Sequence, residues 1–177
     1  TGKGNYSGKV QRKYHITKAP LTVTTEGATR AYNGQPLTAP GTVTGFVEGE
    51  NAELQVTGKQ TDVGSSKNTY NIVWTETTKA DNYQVSDTVG TLTVTAQSIK
   101  DSEKITVGTL SNVVYTGKKQ EQEPAVTTQD GKTKLVKGTD YTLSYSEDTK
   151  NVGEVTVTVT GKGNYSGKVQ RKYHITK

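Results

Sequence analysis

Residues 155–160 read VTVTVT, a stretch in which valine alternates strictly with threonine. Successive side chains of a β-strand point to opposite faces, so this alternation predicts a strand with one buried and one exposed face. No window of the sequence has the 3.6-residue periodicity of an amphipathic helix. The same two-residue period recurs in short runs at 21–25, 70–74, 92–95, 141–145 and 169–175. The sequence therefore predicts an all-β fold.

Glycine-bearing turns separate these runs, for example at Asn33-Gly34 and Asp130-Gly131. Such pairs supply the positive φ angles that tight hairpins need. Only 29% of the 177 residues are hydrophobic, which suits thin sheets with one face in water. Disordered chains share this low hydrophobicity but lack periodic β-branched and aromatic residues, so the alternating runs favour a folded chain.

An eighteen-residue segment, TGKGNYSGKVQRKYHITK, occurs twice without change, at residues 1–18 and 160–177. The copies are 159 residues apart, which is about twice the length of a small β-sandwich module. We interpret residues 19–96 and 97–177 as two modules that together form one repeat unit. Residues 1–18 are then the closing hairpin of a preceding repeat.

The two halves of this unit share an order of short landmarks, which favours two diverged copies of one module. The pairs are Tyr32-Asn33-Gly34 with Tyr115-Thr116-Gly117, Asp62-Val63-Gly64 with Asn151-Val152-Gly153, and Asn82-Tyr83 with Asn164-Tyr165. We predict two tandem Ig-like β-sandwich modules arranged end to end, with small β-grasp-like modules as the alternative. The join between them is short, which limits hinge motion.

Residues 21–74, LTVTTEGATRAYNGQPLTAPGTVTGFVEGENAELQVTGKQTDVGSSKNTYNIVW, with DNYQVSDTVGTLTVT at 81–95, resemble the repeat modules called MBG or YDG domains. The second half, with VVYTGKKQEQEPAVT at 113–127 and a closing YHIT at 173–176, is similar to another repeat of the same kind of protein. These repeats occur in large surface proteins of Firmicutes. The resemblance implies a secreted or wall-anchored Gram-positive protein in which the modules are tandem spacers without catalytic residues.

From the duplication and the resemblance we expect an extracellular stalk, the structural repeat region of an adhesin at the bacterial cell surface or cell wall. It would project a distal binding domain, and other domains of the parent protein would bind the host ligand. The alternative is that the modules themselves bind a host glycan or matrix protein. Residues 1–18 are expected to pair with an exposed sheet edge, either in their own chain or by strand exchange with a neighbouring copy.

The sequence offers no catalytic, cofactor-binding or metal-binding constellation, and we do not expect an enzyme. The chain has no cysteine, which excludes disulfides, cysteine-based zinc sites and a cysteine nucleophile. Its two histidines, His15 and His174, occupy the same outward position in the repeated segment. Gly161–Lys168 resembles a phosphate-binding loop but has Lys162 where that loop needs glycine and Val169 where it needs serine or threonine.

Tyr165 is the candidate ligand contact, because its ring could stack on a sugar between Lys162 and Lys168. A packing role is the alternative, since the matching Tyr83 lacks flanking lysines. The net charge of +5 lies mostly in the two repeated segments, and no recognition helix accompanies it, so we expect no nucleic-acid partner. No apolar run approaches the length of a membrane span, and no membrane insertion is expected. A Lys–Asn isopeptide crosslink is a further hypothesis that no motif supports.

Overall fold

The structure, a computed structural model, describes residues 3–177. Within this range the chain forms sixteen β-strands and one turn of 3₁₀-helix at Ala80–Asn82, without any α-helix, so the all-β prediction is confirmed. The strands are, in chain order, β1 (Ala19–Thr25), β2 (Ala28–Ala31), β3 (Gly41–Thr44), β4 (Glu53–Val56), β5 (Gly64–Lys67), β6 (Tyr70–Val73), β7 (Tyr83–Val89), β8 (Thr91–Thr95), β9 (Gln97–Ser98), β10 (Ile105–Val107), β11 (Val113–Val114), β12 (Val126–Thr128), β13 (Tyr141–Tyr145), β14 (Gly153–Gly161), β15 (Tyr165–Ser166) and β16 (Lys168–Thr176).

The strands pair in two separate groups. Strands β1–β8, the first strand set, form the sheets β3-β1-β7, β2-β8-β5 and β4-β6. Strands β9–β16, the second strand set, form the sheets β11-β16-β14-β13, β10-β12 and β15-β9. No ladder between the described residues joins one set to the other. The Ig-like arrangement of these sheets, its β-grasp-like alternative and the module boundaries stay predictions.

Both sets bring their first strands beside their last strands, in parallel. In the first set, β1 pairs with β7 and β2 with β8. In the second set, β9 pairs with β15 and β11 with β16. Parallel strands cannot be joined by a hairpin, so each of these pairings closes a long loop of chain.

The registers of the two sets agree at the landmarks. Beyond the last pair of β2 and β8, the Tyr32 N–H donates to the carbonyl oxygen of Thr95 at 2.8 Å. Beyond the last pair of β11 and β16, the Tyr115 N–H donates to Thr176 at 2.8 Å. The glycines two residues later have φ angles of 77° and 74°, a region that favours glycine. The Tyr-x-Gly landmarks therefore occupy equivalent places.

The strand predicted from the VTVTVT stretch supplies the centre of the second set. Val155, Val157 and Val159 on β14 are all buried, as the alternation predicts. Val155 and Val157 pack with Tyr173 and Ile175 in one hydrophobic cluster. Val159 belongs to a second cluster that contains Ile99, Ile105, Val107, Val126, Leu135 and Tyr141. A single alternating strand thus supports both parts of this core.

The duplicated segment adopts a different structure at its first occurrence. Residues 3–18 form no strand, and Tyr14 and Ile16 are 83% and 90% exposed. The identical residues in β16, Tyr173 and Ile175, are each 1% exposed because β16 lies between β14 and β11. No strand of the described residues pairs with residues 3–18. Residues 3–18 therefore pair with no sheet edge of their own chain, and their role as the closing hairpin of a preceding repeat stays a prediction. Residues 1 and 2 lie outside the described range, and strand exchange with a neighbouring copy stays a prediction.

Asn68 forms hydrogen bonds at the short gaps that separate consecutive strands of the first set, between β1 and β2, β5 and β6, and β7 and β8. It is fully buried at the break between β5 and β6. Its side-chain nitrogen donates to the carbonyl oxygens of Glu26, at 2.9 Å, and Ala39, at 3.0 Å, and its N–H donates to Gly90 at 2.9 Å. Glu26 lies between β1 and β2, and Gly90 between β7 and β8. The side chain of Asn68 thus donates to two carbonyl groups that lie outside the strands and have no partner in a ladder.

We predict that Asn68→Ala destabilises the first set by about 3 kcal/mol, because two carbonyl groups lose their donor inside the protein. The control is Asn71→Ala, an exposed asparagine on β6, which should cost less than about 0.5 kcal/mol. Urea unfolding followed by fluorescence measures both variants, since Trp74 is the only tryptophan and lies in the first set. Equal stability of the two variants would contradict this role for Asn68.

Candidate functional site

The junction of the two strand sets is the site where residues from distant parts of the chain meet. A single residue, Ala96, separates the end of β8 from the start of β9. β9 is bonded to the rest of the second set from its first residue, because the Gln97 N–H donates to the carbonyl oxygen of Asn164 at 3.0 Å. Two residues later, the Ile99 N–H donates to Ser166 at 2.8 Å. Because the connection is so short and fixed at its far end, the two sets have little freedom to move apart.

The side chain of Asn164 reaches across the junction and forms two hydrogen bonds with the first set. Its Oδ1 accepts the N–H of Val63 at 2.8 Å, and its Nδ2 donates to Oδ1 of Asp62 at 2.9 Å. Asp62 and Val63 form the turn that leads into β5. The amide is thus satisfied at both ends by one turn, which fixes its orientation as well as its position.

An aromatic pair lies beside this polar bridge. The rings of Tyr32 and Tyr165 meet edge to face, with centroids 5.5 Å apart and planes at 80°. Tyr32 packs on the cluster of Leu37, Leu92 and Val94 in the first set, and Tyr165 packs on the Ile99 cluster of the second. Edge-to-face pairs contribute about 1 kcal/mol beyond their buried area. The pair therefore connects the two hydrophobic interiors across the junction.

Burial raises the pKa of the Tyr165 hydroxyl, and Tyr32 and Asp140 raise it further. The phenol is consequently neutral throughout the physiological range, and it carries no charge into the junction. The aromatic contact is then an uncharged one, with a ring edge against a ring face.

The junction brings together all three kinds of landmark that the sequence repeats. Tyr32 starts the Tyr-x-Gly landmark, Asp62 and Val63 start the x-Val-Gly landmark, and Asn164 with Tyr165 is the Asn-Tyr landmark. The sequence identified these residues as shared features but not that they would meet. Their recurrence in both halves, where the strands between them have diverged, was the available signal.

The three residues predicted to contact a ligand have different surroundings. The Nζ of Lys162 is exposed and donates to the carbonyl oxygen of Gly138 at 2.7 Å. Lys168 starts β16 and lines a groove with Lys100 and Gln170, whereas Tyr165 lines the groove at the junction. The ring of Tyr165 is half-buried and engaged with Tyr32, which is the packing role given above as the alternative. A ligand role for Lys162, Tyr165 and Lys168 stays a prediction.

A groove of about 680 Å³ runs along the junction and has walls from both sets. Its charged residues are of both signs: Arg30, Glu103, Lys104, Asp130 and Lys132. The guanidinium of Arg30 donates to the carbonyl oxygen of Gln35 at the rim. Such a lining favours neither anions nor cations as a class.

Among residues 3–177, histidine, aspartate and glutamate side chains nowhere gather in threes in a way that could hold a metal ion. The same part of the chain contains no helix with the length and hydropathy of a membrane span.

Comparison with known proteins identifies one segment. Residues 21–93 match the family model for the MBG domain, YGX type. The matched range begins inside β1 and ends inside β8, so it coincides with the first strand set. No curated protein matches the chain.

We predict that Asn164→Ala loosens the junction, because both of its side-chain hydrogen bonds are lost, at a cost of about 1 to 3 kcal/mol in coupling between the sets. Residual dipolar couplings measure the effect. One alignment tensor should describe both sets in the wild type, and two tensors should be needed for the variant.

Asn82→Ala is the matched control, since Asn82 is the equivalent landmark of the first set and is exposed. It should leave the single tensor unchanged. A single tensor for Asn164→Ala as well would show that the bridge does not hold the two sets together.

Proposed function

Since residues 21–93 form an MBG-type repeat module, we propose that the chain is a section of the stalk of a bacterial cell-surface adhesin. In this proposal the protein is extracellular and belongs to the cell wall of a Gram-positive bacterium. The stalk is non-catalytic and projects a distal domain, which binds the host ligand. The two strand sets correspond to two tandem modules, residues 19–96 and 97–177.

The parallel pairing of first and last strands is the observation that carries this proposal. The chain enters the first set at the start of β1 and leaves it at the end of β8. β1 and β7 run parallel over seven residue pairs, and the parallel pairing continues with β2 and β8 up to Ala31 with Thr95. Entrance and exit therefore lie at opposite ends of the set. In the second set the corresponding parallel pairs are β9 with β15 and β11 with β16, and the chain enters at β9 and leaves at the end of β16. A spacer needs this geometry, because each module then adds its length to the chain.

The same pairing also determines how each set responds to tension. A force on the two ends pulls the first and last strands in opposite directions along their own axes. The ladder hydrogen bonds between these strands then share the load, whereas a hairpin pulled from its open end loses them one at a time. A stalk that connects a cell to a host surface carries such tension.

The contacts at the junction are a second observation that supports the proposal. A projecting stalk requires that successive modules keep their relative orientation. Here the one-residue connection, the Asn164 bridge and the Tyr32–Tyr165 pair act together between the two sets. Rigid inter-domain contact of this kind limits the motion that a long linker would permit.

We predict that the first set resists force along its strands far better than across them. Cysteines can be placed uniquely, because the chain has none. In full-length chains, Lys18→Cys with Thr95→Cys applies force along the strands, and Lys18→Cys with Asn82→Cys separates β1 and β7 from one end, where Ala19 and Tyr83 are partners. Single-molecule pulling should give an unfolding force several times higher for the first pair. Equal forces would remove the mechanical argument.

The alternative function is tested by a binding screen of the immobilised full-length chain against glycans and matrix proteins. As a spacer, the chain should give no saturable signal. Saturable binding that is lost in a Lys162→Ala, Lys168→Ala double variant would instead favour direct ligand recognition by the modules. An Asn71→Ala variant is the control for changes on an unrelated exposed surface.

A further inference from the structure

The landmarks that meet at the junction occur a second time at the outer ends of the two sets. Asn151 and Val152 form the turn before β14, as Asp62 and Val63 do before β5. Gly153 pairs with Ile175 as Gly64 pairs with Val94, with φ angles of 157° and 145°. The turn at Asn151 therefore holds the same place at the far end of the second set as the bridged turn does in the first.

This outer turn presents the same hydrogen-bonding groups as its counterpart at the junction. The N–H of Val152 has no acceptor within residues 3–177, and the residue is 48% exposed. The Nδ2 of Asn151 donates to Oδ2 of Asp148 at 2.8 Å, and its N–H donates to Oδ1 of Asp148 at 2.9 Å. Because Asp148 occupies the donor end of this amide, the Oδ1 of Asn151 is the atom that remains to accept, as Oδ1 of Asp62 does at the junction.

The opposite end of the first set carries the complementary group. Asn82 directly precedes Tyr83 as Asn164 precedes Tyr165, and Tyr83 pairs with Ala19 as Tyr165 pairs with Gln97. Asn82 is exposed, and within the described range its side-chain amide makes no hydrogen bond. An acceptor and a donor are thus displayed together at the place where the chain enters the first set.

We propose that the turn at Asn151 and Val152 is a docking surface for the Asn82 end of the first strand set in a second copy of the repeat unit. The Oδ1 of Asn82 would accept the Val152 N–H, and its Nδ2 would donate to Oδ1 of Asn151. This inference rests on the proposed stalk. The duplicated segment supports it, because its first copy runs directly into Ala19, the first residue of a first set.

The contact between units differs from the internal junction in one respect. The ring of Tyr83 is 3% exposed, since Phe46 and Trp74 cover it at centroid distances of 5.5 and 5.7 Å. Tyr115 is 46% exposed, but the ring of Tyr83 is already covered, so we expect no counterpart of the Tyr32–Tyr165 pair between units. The docking surface between units depends on its two hydrogen bonds, and this joint is weaker than the internal one.

The test uses a two-copy chain in which Lys177 of a full-length copy is followed by Ala19–Lys177 of a second. The second copy omits residues 1–18, of which residues 3–18 form no strand. Amide hydrogen exchange is measured by NMR in the first copy. We expect exchange at Val152 to slow roughly fivefold to tenfold relative to the single chain, the factor that one net hydrogen bond provides.

Asn82→Ala in the second copy should restore the single-chain exchange rate at Val152, and Asn71→Ala should not. Unchanged exchange at Val152 in the two-copy chain, with Val63 still protected, would overturn the docking surface and leave the proposed stalk standing. Unchanged exchange at Val152 together with an unprotected Val63 would overturn both, because Val63 reports the internal junction in the same spectrum.

Discussion

The pairing of the first strands with the last strands in each set is the constraint on which the rest of the structure depends. It joins residues that are far apart in sequence, such as Ala19 and Tyr83, and so it carries the largest cost in loop closure. The buried residues offset that cost. Of the buried hydrophobic residues in the described part of the first set, only Leu37 lies outside β1, β7 and β8. The residues that form the hydrophobic core therefore lie on the same strands that close the long loop. The same pairing places the start of β1 and the end of β8 at opposite ends of the first set.

Alternation in the sequence predicted the strands well where both faces of a strand have a defined environment. The stretch at 155–160 is such a case, because Val155, Val157 and Val159 all point into the core of the second set. Alternation alone is not enough where strand formation depends on a partner. Residues 3–18 have the same alternation as 162–177 and the same propensities, but they lack neighbouring strands and remain exposed. A strand is a property of a pair of segments, which a local pattern does not contain.

The junction was harder to predict than the strands, for a related reason. Asn164 and Val63 are separated by about a hundred residues, and their contact depends on how two closed sets meet. The sequence showed that Tyr32, Val63 and Asn164 belong to recurring landmarks, but recurrence gives no distances. It also suggested a sugar-stacking role for Tyr165 from the nearby lysines, whereas the ring turns toward Tyr32. Flanking charge is a local feature, and the direction of a ring depends on long-range packing.

The duplicated segment raises the question of which copy completes the second set. Both copies carry the same side chains, so the enthalpy of pairing with β14 does not distinguish them. The difference is entropic: β16 follows β14 after only a short turn that includes β15, whereas residues 3–18 would have to close a loop of more than a hundred residues. Proximity in the chain therefore selects the local copy. A diverged module between the two copies maintains that separation, and in an array it would keep each closing strand with its own set.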